Sequence, residues 1–98
     1  MSALAHTGIG ILRARQGRYV EAIRHQIVAL SKRSAQGESF RENAEELYEI
    51  RVRIGRKAFA DAARTLVNED SMTNLTEILD ARPPDTPSRG LPGRPGSV

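Results

Sequence analysis

Proline is the residue that most restricts this chain, because all five of its prolines lie between positions 83 and 95. Proline lacks the N–H that a helix or a central strand needs, and its ring clashes with the preceding helical turn. Residues 83–98, which also hold three of the eight glycines, are therefore predicted to form a disordered tail. Residues 1–82 contain no proline, so helices of ordinary length are permitted throughout them.

The spacing of apolar residues before position 37 is helical. The residues that recur at the three- and four-residue intervals of one helix face are Tyr19, Ala22, Ile23, Ile27 and Leu30. We expect this helix to end near residues 36–37, since Gly37 suits a left-handed C-cap. Residues 3–15 are predicted to form a preceding helix, although Gly8 and Gly10 lie within it.

A second helix start is expected at Ser39, where Glu42 three residues later completes the pattern of a capping box. Apolar residues at helical spacing follow, and Arg51 interrupts them. Gly55 is the expected break in this helix. A glycine inside a helix costs only about 1 kcal/mol relative to alanine, so one long helix through Gly55 is the alternative.

Beyond Gly55, the residues that continue an apolar stripe are Phe59, Ala62, Ala63, Leu66 and Val67. A final helix is predicted to begin after Asp70 or Ser71 and to run through Leu75 and Leu79 to Arg82. The sequence therefore predicts an all-α domain over residues 1–82, made of antiparallel helical hairpins. Both a short repeat array and a small helical bundle fit this pattern.

Charge is distributed unevenly along the chain. Residues 1–36 carry six basic side chains and one acidic one, Glu21, whereas residues 37–82 carry seven basic and ten acidic side chains. A basic front and an acidic rear favour self-association or an acidic partner over a long track for nucleic-acid phosphates.

Residues 5–30 resemble one tetratricopeptide repeat, a family that pairs two antiparallel helices across a tight turn. Gly10 matches the small residue at which the second helix approaches closely, and residues 16–18 match the turn. Tyr19 matches the aromatic that follows, and residues 21–23 match the acid-alanine-apolar run. Arg13 and Gln26 depart from the pattern, because each stands where the family usually has an aromatic residue.

A degraded second copy follows forty residues later, where Phe59 and Ala62 correspond to Tyr19 and Ala22. The family resemblance implies that both alanines are buried at close helix contacts. It also implies a concave binding groove, whose residues in this sequence are His6, Arg13, Tyr48 and Arg51. Two repeats fall short of the roughly three that such arrays need, so the open end is expected to meet another copy or a larger host.

The residue types that carry catalysis or hold metals are sparse. The chain has no cysteine, which excludes thiolate ligands and fits a reducing compartment. His6 and His25 are distant in sequence and lack acidic neighbours at ligand spacing, so we expect packing or surface roles and no metal site. Neither a nucleophile motif nor a phosphate loop is present. We therefore expect a non-enzymatic protein without a cofactor.

The basic residues Arg13, Arg15 and Arg18 cluster around the first predicted turn and are candidates for partner contact. Nucleic acid is the alternative ligand, but aromatic residues interleaved for base stacking are missing. No segment of about 20 apolar residues is present to span a membrane. We expect a cytoplasmic module that binds a protein or peptide partner or assembles with itself, as a homo-oligomer or within a larger assembly. A further hypothesis is that the chain is a terminal piece of a longer regulator.

Overall fold

The computed structural model describes residues 1–81, and the predicted disorder of residues 83–98 lies outside them, as does the predicted helix end at Arg82. Within residues 1–81 the fold is all-α, as the sequence predicted. The helices are α1 (Ala3–Arg15), α2 (Tyr19–Ala35), α3 (Arg41–Ile54), α4 (Arg56–Arg64) and α5 (Glu69–Asp80). None of them is both long and apolar enough to cross a membrane.

Glycines end the first two helices by the same device. Gly17 has a φ of 77° and Gly37 a φ of 71°, a left-handed conformation that glycine adopts without steric cost. At the end of α2, the Gly37 N–H donates to the Ser34 carbonyl at 3.1 Å and the Glu38 N–H to the Arg33 carbonyl at 2.8 Å. These two bonds form a Schellman cap and confirm the predicted end of the helix.

The predicted capping box at Ser39 is wrong. Phe40 occupies the N-cap of α3 without a side-chain bond to the helix, and the Ser39 hydroxyl accepts only a 3.3 Å bond from the Arg41 N–H. Glu42 turns away because its carboxylate lies 3.3 Å from the Arg33 guanidinium. An ion pair to α2 thus replaces the local bond that the sequence suggested.

Gly55 separates α3 from α4, which excludes the single long helix. Its φ of 94° and ψ of 157° end one helix, while its carbonyl accepts the first bond of the next, from the Phe59 N–H at 3.0 Å. The last helix begins at Glu69, two to three residues earlier than expected, because Asn68 caps it and accepts a 2.8 Å bond from the Ser71 N–H.

The core lies where α2, α3, α4 and α5 meet. Its largest members include Ile23, Leu47, Phe59 and Leu79. α1 and α2 form an antiparallel hairpin, α3 packs across it, and α4 and α5 close on α3. No Cα atom of α2 lies within 8 Å of one in α5, so the backbones of these two helices stay separated although both contribute side chains to the core.

The burial of the two matched alanines differs. Ala22 is completely buried, as predicted. Ala62 is only half-buried, and Ala63 is the buried residue of α4, so the prediction for Ala62 is wrong. The break at Gly55 starts α4 with a new phase, which turns the next residue toward the core.

Candidate functional site

A groove of about 770 Å³ lies between α2 and α5, and we call it the α2/α5 groove. Its apolar lining is formed by Ile27 and Leu30 of α2, Leu75 and Ile78 of α5, and Val67 from the connection before α5. Except for Leu75, these five side chains are only half-buried. The groove exists because the core draws α5 onto α3 and α4 and leaves the adjacent face of α2 without a helical neighbour.

The rim of the groove is polar. Ser31 and Ser34 line it on the α2 side, and Asn74 and Glu77 line it on the α5 side; all four are exposed. An apolar floor inside a polar rim is the usual composition of a surface that receives a peptide or a helix.

The charged residues of α5 are all acidic. This helix contains four carboxylates and no basic residue. Asp80 at its end is occupied, because the Arg51 guanidinium donates to it at 2.7 Å and the Arg56 guanidinium lies 3.2 Å away. The hydrogen bond from Arg51 holds the pKa of Asp80 below its usual value. Glu77, by contrast, lines the groove itself.

Arg51 and Tyr48, two of the residues implied by the repeat resemblance, lie together on α3. Arg51 is buried, and its guanidinium carbon lies 5.6 Å from the centre of the Tyr48 ring, which fits a cation–π contact. Because the Arg51 side chain is buried and bonded to Asp80, it joins α3 to α5. It also lines a separate cavity of about 360 Å³ beside α4 and α5 and is not part of the α2/α5 groove.

The three arginines of the predicted basic cluster have different surroundings. Arg13 and Arg18 both pair with Glu21, at 3.2 and 2.6 Å. Arg15 is exposed and lines a separate cavity of about 370 Å³ with Glu46 and other residues. Burial raises the pKa of Glu46, with a further contribution from neighbouring carboxylates. The basic cluster is thus partly neutralised by the acidic residues of the same domain.

His6 and His25 meet across the α1–α2 hairpin, a contact that the sequence reasoning missed. Their Nδ1 atoms lie 2.9 Å apart and their ring centres 5.2 Å apart. Burial lowers the pKa of both rings, and the nearby positive charges lower it further. A hairpin that turns at residues 16–18 brings positions 6 and 25 to the same level along the two helices. The predicted hairpin was therefore enough to place the two histidines together.

Among residues 1–81, no group of three or more histidine, aspartate or glutamate side chains is arranged to hold a metal ion.

A buried polar network joins the first three helices, and it too escaped the sequence reasoning. The Asn43 amide donates to the Thr7 hydroxyl and to the Gln26 carbonyl oxygen, both at 2.8 Å. Gln26 donates in turn to the Thr7 carbonyl at 3.1 Å, and Arg33 donates to Asn43 at 2.9 Å. Because these bonds occupy the buried amides, the network specifies how α3 sits on the hairpin.

No family model, characterised protein or solved structure matches this chain. The resemblance of residues 5–30 to a tetratricopeptide repeat therefore stays an expectation that depends on its own residues. The case for a function depends on the α2/α5 groove and on the charge distribution around it.

Proposed function

We propose that this protein is a non-enzymatic interaction module whose α2/α5 groove binds an amphipathic helix or peptide. The observation that carries the proposal is a set of half-buried apolar side chains, Ile27 and Leu30 of α2, Ile78 of α5 and Val67 before α5, that line one groove between two helices whose Cα atoms stay more than 8 Å apart. Covering apolar surface stabilises a complex by roughly 25 cal/mol per Å² before the costs of association. A contiguous apolar surface with a polar rim is typical of a binding site.

The charge of the groove favours one class of helix or peptide over another. Since Glu77 lines the groove and no lysine or arginine among residues 1–81 does, a partner with lysine or arginine beside its apolar residues is favoured over an acidic one. An amphipathic helix that presents apolar residues at intervals of three and four fits a groove between two helices. The absence of cysteine fits the reducing cytoplasm, where we place this activity.

Selection from a displayed library of 16-residue peptides tests the proposal. We expect enriched sequences with helically spaced apolar residues and basic flanks. Their affinity, measured by isothermal titration calorimetry, should fall at least tenfold in Asn74→Arg, which puts a positive charge on the rim. Thr73→Arg is the matched control, because Thr73 is exposed on α5 but lies outside the groove. The proposal is rejected if no peptides are enriched, or if the affinity of the enriched peptides is the same for Asn74→Arg and the wild-type chain.

A further inference from the structure

One face of α1 is apolar and contacts no other helix. Leu4 is 72% exposed and Leu12 is 49% exposed, and Ala5 and Gly8 between them are also exposed. These residues lie on one side of the helix, at intervals of one, three and four residues. The opposite side holds Thr7 and Gly10, which are buried. The outer face can therefore meet another molecule while the hairpin stays folded.

The length of this face matches the α2/α5 groove. Leu4 and Leu12 are separated by eight residues of helix, which is about 12 Å at 1.5 Å per residue. The α2 wall of the groove extends from Ile27 to Ala35, again about 12 Å. Two apolar side chains that far apart can both reach the floor of the groove.

The charges of the two surfaces are opposite. α1 contains Arg13 and Arg15 and no acidic residue, whereas α5 contains four acidic residues and no basic one. Arg15 is exposed at the end of the α1 face, and Glu77 lines the groove. By contrast, two α1 faces placed against each other would offer Arg15 no carboxylate from the facing helix, since α1 contains none.

We infer that the partner in the α2/α5 groove is α1 of a second copy, so that the chain assembles head to tail. This inference rests on the proposed function, since it uses the same groove. Leu4 and Leu12 of one copy insert between the α2 and α5 walls of the next, and Arg15 lies against Glu77. A pair of copies keeps one free groove, on one copy, and one free α1 face, on the other. The contact is therefore heterologous, and copies add until a ring closes or a filament grows.

Complementation between two variants tests this arrangement by sedimentation velocity on the full chain. The double substitution Leu4→Glu/Leu12→Glu removes the α1 face, and Asn74→Arg damages the groove. Each variant alone should be monomeric where the wild-type chain associates. An equal mixture should form a 1:1 heterodimer and stop there, because one variant keeps an intact groove and the other an intact α1 face. A symmetric contact between two α1 faces would not be restored by mixing, and that result would overturn the inference.

The matched control is Val20→Glu/Val52→Glu, which places the same charges at two valines that are 56% and 65% exposed elsewhere. This control should associate like the wild type, and circular dichroism should show helicity retained in every variant. A wild-type chain that stays monomeric up to about 1 mM would also overturn the inference. If the wild-type chain is monomeric but displayed peptides bind the groove and lose affinity in Asn74→Arg, the proposed function stands without this inference. If no such peptides are found, both the inference and the proposed function are rejected.

Discussion

A Cβ atom added to Gly10 would lie 2.6 Å from Nε2 of Gln26 and 3.0 Å from its Cδ. Gln26 cannot swing aside freely, because its amide donates to the Thr7 carbonyl and accepts from Asn43. The absence of a side chain at Gly10 is thus what allows α2 to place a bonded amide against α1.

Gly10→Ala should therefore destabilise the fold, by about 1–3 kcal/mol for the forced overpacking, partly offset by alanine's better helix propensity. Gly8→Ala is the matched control, since it lies in the same helix and nothing lies within 4 Å of its added Cβ. That variant should be more stable than wild type by up to about 1 kcal/mol. Urea denaturation of dilute protein measures both, and equal stability of the two variants would contradict the prediction.

Ala22 and Ala62 should respond differently to enlargement. Ala22 is completely buried in the core, so Ala22→Leu should cost about 1–3 kcal/mol through overpacking. Ala62 is half-buried, and Ala62→Leu should be tolerated with a smaller loss. Thermal melts of the two variants provide the comparison, and an unchanged melting temperature for Ala22→Leu would count against a close contact there.

The ion pair between Arg51 and Asp80 should make a pH-dependent contribution to stability. Because the pKa of Asp80 is lowered in the folded chain by its bond from Arg51, the contribution is present above the unfolded pKa and is lost as the pH falls through the folded one. Asp80→Asn should lower the melting temperature at neutral pH, and the difference from wild type should vanish in acid. The control is Asp61→Asn, which breaks an exposed pair with Lys57 and should have little effect. A difference that persists at the acid end would show that charge is not its source.

The histidine pair should weaken the fold below neutral pH. The pKa values of His6 and His25 are lowered from 6.5 by burial and by surrounding positive charge, which includes Lys32, Arg24 and Arg13, while Glu21 opposes it at His25. The unfolded chain therefore takes up protons first. Stability is complete above the unfolded pKa and declines as the pH falls below it.

Replacing one of the two histidines tests this direction of the pH dependence. His6→Gln removes one titrating group and the repulsion it exerts on the other, so its stability should change less between about pH 7.5 and pH 5.5 than that of the wild type. Chemical denaturation at both pH values measures the difference. A wild-type chain that gains stability on acidification, relative to His6→Gln, would contradict the predicted direction.

Nucleic-acid binding, if present, should be weak and sensitive to salt. Arg13 and Arg18 already pair with Glu21, so fewer arginines are free to contact phosphates than the sequence suggested. We expect dissociation constants of roughly 10⁻⁴–10⁻⁶ M without sequence preference, measured by fluorescence anisotropy at two salt concentrations. Charge reversal at Arg15 should alter self-association more than this binding. Tight, sequence-selective binding at physiological salt would favour the nucleic-acid alternative.

The helices and most of their ends could be predicted from short-range sequence signals. The confinement of proline to positions 83–95 permits helix before them, and the glycines at 17, 37 and 55 end or separate helices through positive φ angles. These signals are local, since each depends on the backbone of a few adjacent residues. The capping box at Ser39 failed for the complementary reason: Glu42 has a competing partner on another helix, Arg33.

The identity of the buried polar residues and the position of the candidate site depend on contacts between distant parts of the chain. Asn43 bonds to Thr7, 36 positions away, and Arg51 bonds to Asp80, 29 positions away. From the sequence, Gln26 and Arg51 only interrupt an apolar pattern, and their bonding partners become evident once the fold brings distant residues to them. The α2/α5 groove likewise follows from how α5 packs on α3 and α4. Burial and pairing depend on residues that only the folded chain brings together, and a local pattern does not contain them.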